Sequence, residues 1–177
     1  MGAFRAEYVP VAKIETDPFF RKMCEANTCG NYGKSYMCPP DVGEIDELIA
    51  ELDHWDMALI YQTVSALEDS YDFEGMMEAG EKHNALSGKV RCLVKGLGCQ
   101  DALYLGAGGC RLCPVCGKKT GEACRHPKEA MSSLEAYGIN VSRLAQQSGM
   151  RYINGQNTVT YFGAVFFKKE ESDGESI

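Results

Sequence analysis

The run Met57-Ala-Leu-Ile-Tyr-Gln-Thr-Val64 predicts a buried β-strand, because it is mostly apolar and rich in residues that favour strands. A similar run covers residues 158–167. It follows the turn signal Asn154-Gly155, and we expect it to close a hairpin with residues 151–153. These two runs indicate a sheet whose strands lie far apart in sequence.

Two shorter strands are expected on either side of these runs. Residues 9–14 predict an edge strand, because Pro10 cannot donate to a central ladder. Residues 102–105 predict a strand that leads into a glycine-rich turn, whereas residues 19–40 read as a loop.

Helical patterns alternate with the strands. Asp41 and Glu44 resemble a capping box ahead of a first helix, and apolar spacing predicts a second over residues 73–97. A third is expected from Ser132 to Gln147. This alternation predicts a single α/β domain over residues 1–168, a sandwich with a mixed sheet and cysteine-rich cluster-binding loops, and a disordered tail at residues 169–177.

Composition excludes several classes of protein. The chain has 177 residues, 45% of them hydrophobic, and a net charge of −7, which argues against disorder and against nonspecific nucleic-acid binding. No apolar run approaches the roughly 20 residues of a membrane helix, and the N-terminus lacks a signal peptide's hydrophobic region. We therefore expect a cytoplasmic protein without nucleic-acid or membrane partners.

Nine cysteines stand out in this composition. In a reducing cytoplasm, clustered thiols are more often metal ligands or redox centres than disulfides. Seven of them form two groups. The first cysteine group is Cys24, Cys29 and Cys38, and the second cysteine group is Cys110, Cys113, Cys116 and Cys124.

The second cysteine group opens with overlapping C-x2-C-x2-C spacing, the same triplet that opens a bacterial ferredoxin run. Cys124 follows as a candidate fourth ligand. The pattern predicts a [4Fe-4S] cluster; a zinc site with four thiolates stays the alternative, although zinc sites generally use two separated C-x2-C pairs. A thioredoxin-like pair at Cys113 and Cys116 is rejected, because turn residues and not a helix follow it.

The first cysteine group ends in Cys38-Pro39-Pro40, and a cysteine directly before proline recurs at cluster sites. Three thiolates can hold three irons of a second cube, whose fourth iron takes Cys99, water or substrate. Cys92 falls in a helical pattern and reads as a small core residue. We therefore expect two distinct clusters.

Charge supports the same interpretation. Residues 21–38 and 110–128 together carry a net charge of +6, which leaves −13 for the rest of the chain. Cations near an anionic cluster lower the cost of its charge. A solvated basic loop or a site for a phosphate-bearing ligand would give the same pattern.

At these residues the chain resembles the "predicted metal-binding protein" family, small cysteine-rich proteins of anaerobic bacteria and archaea. The resemblance implies iron–sulfur binding in a small α/β domain, without a settled reaction. One departure is Met131-Ser132, where a proline is expected before the serine. The motifs that carry the resemblance are Cys29-x2-Tyr32-Gly33-Lys34-x3-Cys38-Pro39-Pro40, Gly108-x-Cys110-x2-Cys113-x2-Cys116, Cys124-Arg125-His126-Pro127 and Glu135-Ala136-x-Gly138-Ile139-x-Val141.

Three functions fit these observations. The leading interpretation is a carrier that passes single electrons to a redox partner protein. The second is an enzyme whose three-cysteine cluster binds substrate or sulfur at its open iron, and the third is a structural metal-binding scaffold. The sequence leaves the oligomeric state open, a homodimer included.

Overall fold

The computed structural model describes residues 2–169, so the tail expected at residues 169–177 lies outside the described part apart from its first residue. No helix in this range combines the length and the apolar character that a membrane crossing requires. The helices and strands, in chain order, are β1 (Arg5–Pro10), α1 (Phe19–Glu25), α2 (Ile45–Leu52), β2 (Met57–Ala66), α3 (Phe73–Gly96), β3 (Leu103–Gly106), α4 (Gly117–Thr120), β4 (Ser132–Ser133), α5 (Val141–Gln147) and β5 (Thr158–Phe167).

The strands form one mixed sheet in the order β1-β2-β5-β3-β4. All neighbours are antiparallel except β3 and β4, which are parallel. Parallel neighbours need a crossover connection, which is usually a helix. Here residues 107–131 make that connection, and α4 is their only α-helix. The α/β fold, the mixed sheet and the single domain are therefore confirmed.

Helices cover both faces of the sheet, because successive residues of a strand point to opposite sides. On one face, Ile60 and Phe166 pack in a core with residues of α2 and α5. On the other, Tyr61 and Val165 pack against Leu86 and the rest of α3. This two-sided burial explains why both long strands read as nearly continuous apolar runs.

The predicted strands and helices differ from the structure in local detail. The first strand was expected over residues 9–14. In the structure β1 ends at Pro10, and a 3₁₀ turn, Val11–Lys13, follows it. Its place at the sheet edge is confirmed. Residues 19–40 are not all loop, since they begin with α1. Residues 73–97 form α3 as expected, to within one residue.

The helix expected from Ser132 is wrong over its first half. Gly138 has φ +71°, a left-handed conformation that ends a 3₁₀ turn, and α5 begins only at Val141, where the Asn140 side chain accepts a hydrogen bond from the backbone N–H of Arg143. The capping box ahead of α2 is wrong too. No side chain caps that helix, and Asp41 instead forms an ion pair with Lys118.

The hairpin expected around Asn154-Gly155 is wrong as well, because residues 151–153 form no strand. Strand β5 instead takes both of its neighbours, β2 and β3, from distant parts of the chain. The Asn154 amide donates to the Arg151 carbonyl oxygen and to Thr160 Oγ1, at 2.9 and 3.0 Å, which holds the preceding segment in a turn.

A substitution of Gly163 in β5 tests the packing of α3 on the sheet. The Tyr61 ring lies over Gly163, its register partner, and its hydroxyl donates to Ser87 Oγ at 2.8 Å. A Cβ at residue 163 would overlap that ring. We expect Gly163→Ala to lower the free energy of unfolding by about 1–3 kcal/mol in urea titrations. The control Gly106→Ala, a strand position with nothing within 4 Å of the new methyl, should stay near wild type; equal stability of the two variants would contradict this packing.

His83 of α3 makes the stability of this fold depend on pH. Its ring is fully buried, Nδ1 lies 2.9 Å from Thr63 Oγ1, and it stacks on the Tyr61 ring. Burial lowers the pKa of His83 from 6.5 to about 4, because the charged ring would lose its hydration.

The unfolded chain therefore takes up the His83 proton near pH 6.5, and the folded chain only near pH 4. Folded stability is retained above pH 6.5 and falls as the pH drops toward 4. Between pH 7 and pH 5, this shift lowers the wild-type free energy of unfolding by about 2 kcal/mol. Glutamine takes up no proton, so we expect the loss in His83→Gln to be smaller by about that amount in urea unfolding. The exposed His54→Gln is the control, and an unchanged slope in His83→Gln would contradict the assignment.

Candidate metal centre

The second cysteine group surrounds one small cavity. Its four cysteines line that cavity together with Ser35 and Tyr36 of the segment that carries the first cysteine group. All four thiols are partly buried. The structure thus places Cys124 beside the triplet.

Turn residues between β3 and β4 produce this convergence. Cys116 precedes the single turn of α4, and the backbone then reverses so that the Glu122 N–H donates to the Gly117 carbonyl oxygen at 2.8 Å. A Cβ at Gly117 would lie 2.7 Å from the carbonyl oxygen of Ala123. Glycine is therefore required where the chain folds back, and the reversal returns Cys124 to the triplet.

The first cysteine group spans α1 and the turns that follow it. Cys24 lies in the last turn of α1, and the Asn27 side chain accepts a hydrogen bond from the Tyr32 N–H at 3.0 Å. The Gly33 N–H donates to the Pro39 carbonyl oxygen at 2.8 Å, which closes the loop between Cys29 and Cys38. Burial raises the pKa of Cys38 to about 11, with added effects from the charges of Cys29 and Cys24. These effects indicate that the three thiols are neighbours.

Direct contacts join the two cysteine segments. The Tyr36 hydroxyl donates to the Glu122 carbonyl oxygen at 2.7 Å, and Asp41 forms its ion pair with Lys118. The Lys118 ammonium also lies 5.6 Å from the centre of the Tyr36 ring. Cys110 is close enough that its charge acts on Cys38. The two groups therefore lie side by side.

Hydrogen-bond donors act differently on the individual thiols. Burial raises the pKa of Cys110, and backbone N–H groups only partly offset it. Burial also acts to raise the pKa of Cys116, but the backbone N–H groups of Lys118 and Tyr36 and the Ser35 hydroxyl outweigh it and hold that pKa below its usual value. Of these two thiols, Cys116 is the one that the protein prepares better as a thiolate.

A buried guanidinium accompanies the first cysteine group. Arg21 Nη1 donates to the Gly43 carbonyl oxygen at 2.9 Å, whereas Nε and Nη2 are buried without a hydrogen-bond partner among residues 2–169. Burial raises the pKa of Cys24 on balance, and the Arg21 charge opposes that rise. Buried donors without partners are costly, so these N–H groups match an anionic acceptor such as thiolate or sulfide.

Two other observations concern residues that the sequence left open. Cys99 Sγ donates to the Asp101 carbonyl oxygen at 3.5 Å. The charges of Cys99 and Cys92 act on Tyr104, and no described contact joins Cys99 to the first cysteine group. Cys92 is exposed on α3 and is not a core residue. The sequence interpretation of Cys92 as core is therefore wrong.

Sequence reasoning missed two side chains of this centre, Ser35 and Glu135. Ser35 lies between cysteines without a recognisable motif, and only the fold brings it to the second cysteine group. An aromatic residue beside a cluster motif can shield a cluster from water, and the structure places Tyr36, which is such a residue, on the cavity wall. Glu135 begins the 3₁₀ turn that follows β4; its carboxyl is buried beside Cys24, and burial raises its pKa. His126, by contrast, does line the cavity of the second group, as a residue next to Cys124 can.

The thiols do not converge on a point. Within residues 2–169, no three His, Cys, Asp or Glu side chains are grouped closely enough to hold a single metal ion. Four sulfurs on one zinc lie about 2.3 Å from the same ion, whereas the four thiolates of an iron–sulfur cube each bind a different iron and are spread farther apart. The described thiols therefore do not form a preformed site for a single ion.

Residues 7–167 match the family described as "Predicted metal-binding protein (DUF2284)". No curated protein matches the chain. No solved structure matches it either.

Loss of the Tyr36 hydroxyl should loosen the contact between the two cysteine segments. We expect Tyr36→Phe to cost about 0.5–1.5 kcal/mol locally, which corresponds to roughly 2- to 12-fold faster hydrogen–deuterium exchange in residues 117–124. The control is Tyr32→Phe, because the hydroxyl of Tyr32 makes no hydrogen bond within residues 2–169. Equal exchange in the two variants would show that the Tyr36 contact does not hold the segments together.

Proposed function

Because the chain belongs to the predicted metal-binding protein family, we propose that its cysteines bind two [4Fe-4S] clusters and that it transfers electrons to a redox partner protein in the cytoplasm. The observation that carries the proposal is the closure of Cys110, Cys113, Cys116 and Cys124 around one cavity. When bound, such a cluster supplies reversible one-electron chemistry.

The residues present fit that group. Thiolates are the usual ligands of iron–sulfur clusters, and the second cysteine group supplies four of them. Backbone N–H groups beside Cys116 and the free N–H groups of Arg21 are donors of the kind that hydrogen-bond cluster sulfurs and tune their potential. Arg125 adds a cation between Glu122 and Cys113, and these two groups raise its pKa.

Zinc is the competing occupant, and the spacing disfavours it. A tetrahedral zinc site uses thiolates that meet at one ion, and the described thiols do not. The first cysteine group offers only three thiols, so a zinc there would need a further ligand. A cube in that group binds through three cysteines and leaves its fourth iron to another ligand.

The surface around the second cysteine group suits a transient protein contact. Leu112 and Val115, which lie between its cysteines, are each about half exposed at 45% and 48%. Lysines and arginines surround them in the segment 110–128. An apolar centre with a basic rim favours an acidic partner and association that weakens as salt is added.

The enzyme alternative rests on the first cysteine group. It has three thiols, and the buried carboxyl of Glu135 lies beside Cys24. An open iron next to such a group would bind a small molecule. Under this alternative the spectrum of the first cluster changes when the small molecule is added, whereas an electron carrier shows reversible reduction only.

Metal analysis of the isolated protein is the direct test. We expect protein purified without oxygen to be brown and to contain iron and acid-labile sulfide in near-equal amounts, approaching about eight irons per chain for two cubes. Electron paramagnetic resonance of the reduced protein should show cluster signals. Colourless protein with stoichiometric zinc would overturn the proposal.

Single substitutions test whether the two groups are separate. We expect Cys113→Ala and Cys29→Ala each to remove about half the iron and to leave the other cluster's resonance signal, because each breaks only one group. Cys92→Ala, an exposed cysteine outside both groups, is the control and should retain all the iron. Loss of all iron in either variant, with circular dichroism unchanged, would favour a single shared site.

A further inference from the structure

A second, larger cavity adjoins the second cysteine group. It has a volume of about 370 Å³ and lies between α3 and the segment that leads from β3 to Leu112. Cys110 lines both this cavity and the smaller one of the metal centre. The volume falls within the range of small-molecule sites. Electron transfer does not require such a space.

Bare backbone forms much of the cavity wall. Gly88 of α3 lines one side, and Gly106 and Gly108 line the other. At all three glycines, nothing lies within 4 Å of the position that a Cβ would take. Side chains at these positions would project into open space, so the glycines keep the cavity accessible. A ligand can therefore approach the main chain closely.

The wall beside Cys110 is rich in free donors. No hydrogen bond is made by the N–H groups of Gly108 and Gly109 within residues 2–169. The Arg111 guanidinium packs on α3, 3.4 Å from the position of a Cβ at Gly80, where Nη1 donates to Met77 Sδ at 3.9 Å. The guanidinium forms no ion pair with a described carboxylate. Arg91 also lines the cavity, with one nitrogen donating to the Glu129 carbonyl oxygen.

Acidic residues line the cavity as well, and their position matters. Glu81 and Glu129 are both largely exposed. The formal charges of the two arginines and the two glutamates balance. The donors of Gly108, Gly109 and Arg111, however, belong to the segment that surrounds Cys110, and N–H groups form their stronger hydrogen bonds with charged acceptors.

We propose that this cavity binds a small molecule through a carboxylate or phosphate group. The oxyanion is held by Arg111 and the N–H groups of Gly108 and Gly109, and the apolar side chains of Leu112 and Met131 contact the rest of the molecule. The ligand would then lie next to Cys110. This site is independent of which metal the cysteines bind.

Equilibrium dialysis of the full-length protein, purified without oxygen, tests the site with two anionic probes, radiolabelled inorganic phosphate and radiolabelled acetate, and with radiolabelled ethylammonium as a cationic probe of similar size. We expect saturable binding of one anion per chain, and the preferred probe identifies the oxyanion as phosphate or carboxylate. Arg111→Gln should weaken binding roughly 10- to 100-fold, the effect of losing a charge-assisted hydrogen bond. Lys89→Ala, which removes a positive charge from α3 outside the cavity, should bind like wild type.

Filling the cavity is the second arm. Gly88→Leu should abolish binding because its side chain enters the cavity, whereas Gly96→Leu on the same helix, also with nothing within 4 Å, should not. Circular dichroism and thermal unfolding verify that both variants fold. Undiminished binding in Gly88→Leu and Arg111→Gln would overturn the proposal. Absence of binding of both anions to wild type would overturn the proposal too. Binding of ethylammonium alone would also overturn it, because it would show that Glu81 and Glu129 make the cavity a cation site.

Metal content measured on the same samples separates this proposal from the proposed function. Absent anion binding with iron and sulfide in place contradicts only the cavity assignment. Zinc in place of iron, with anion binding intact in wild type and lost in Gly88→Leu, contradicts only the electron-transfer proposal.

Discussion

The nearness of the thiols within each cysteine group is the constraint on which the cysteine-rich half of the molecule depends. Their thiolate forms repel one another, and burial raises the pKa of Cys24, Cys38 and Cys110, so without metal the protein keeps these groups neutral. Metal binding exchanges those protons for a cation and removes the repulsion. The Tyr36 hydroxyl and the Asp41–Lys118 ion pair hold the two segments together. The two segments thus have polar contacts of their own, but none of their described residues belongs to a buried apolar cluster. We therefore expect metal binding to supply much of the free energy that keeps them folded.

The sheet fixes where these segments start and end. Strands β3 and β4 are adjacent and parallel, so residues 107–131 must run from the carboxyl end of β3 back to the amino end of β4. In most folds a packed helix makes this crossover and buries an apolar face. Here cysteine-rich turns replace the helix, and Ser132 at the start of β4 already contacts Met37 of the first segment through Oγ and Sδ, 3.8 Å apart. The remainder of the fold, with α3 on one face and α2 and α5 on the other, does not depend on the cysteines for its core.

The sequence predicted those parts whose determinants are local. The apolar run at residues 57–64 and the spacing of α3 identified the two longest regular elements near the core, and the C-x2-C-x2-C triplet identified the second cysteine group. It failed where distant residues compete for a partner. The Asn154-Gly155 turn signal did not produce a hairpin, because β2 and β3 occupy the two edges of β5. Asp41 does not cap a helix, because its carboxylate forms an ion pair with Lys118. Ser35 could not be predicted as a cavity residue, because its role comes entirely from packing against a segment about eighty positions away.

Cys110 connects the metal centre to the larger cavity. Its thiol belongs to the second cysteine group, while the glycines before it and Arg111 after it form the wall that offers free donors. A ligand anion on that wall would place negative charge near an anionic cluster, and two negative charges in a poorly hydrated space oppose each other. By reciprocity, reduction of the cluster, which adds an electron, would weaken anion binding, and a bound anion would make the cluster harder to reduce. Cys110 lines both cavities, so the two proposals together imply an electron carrier whose reduction potential depends on the bound ligand.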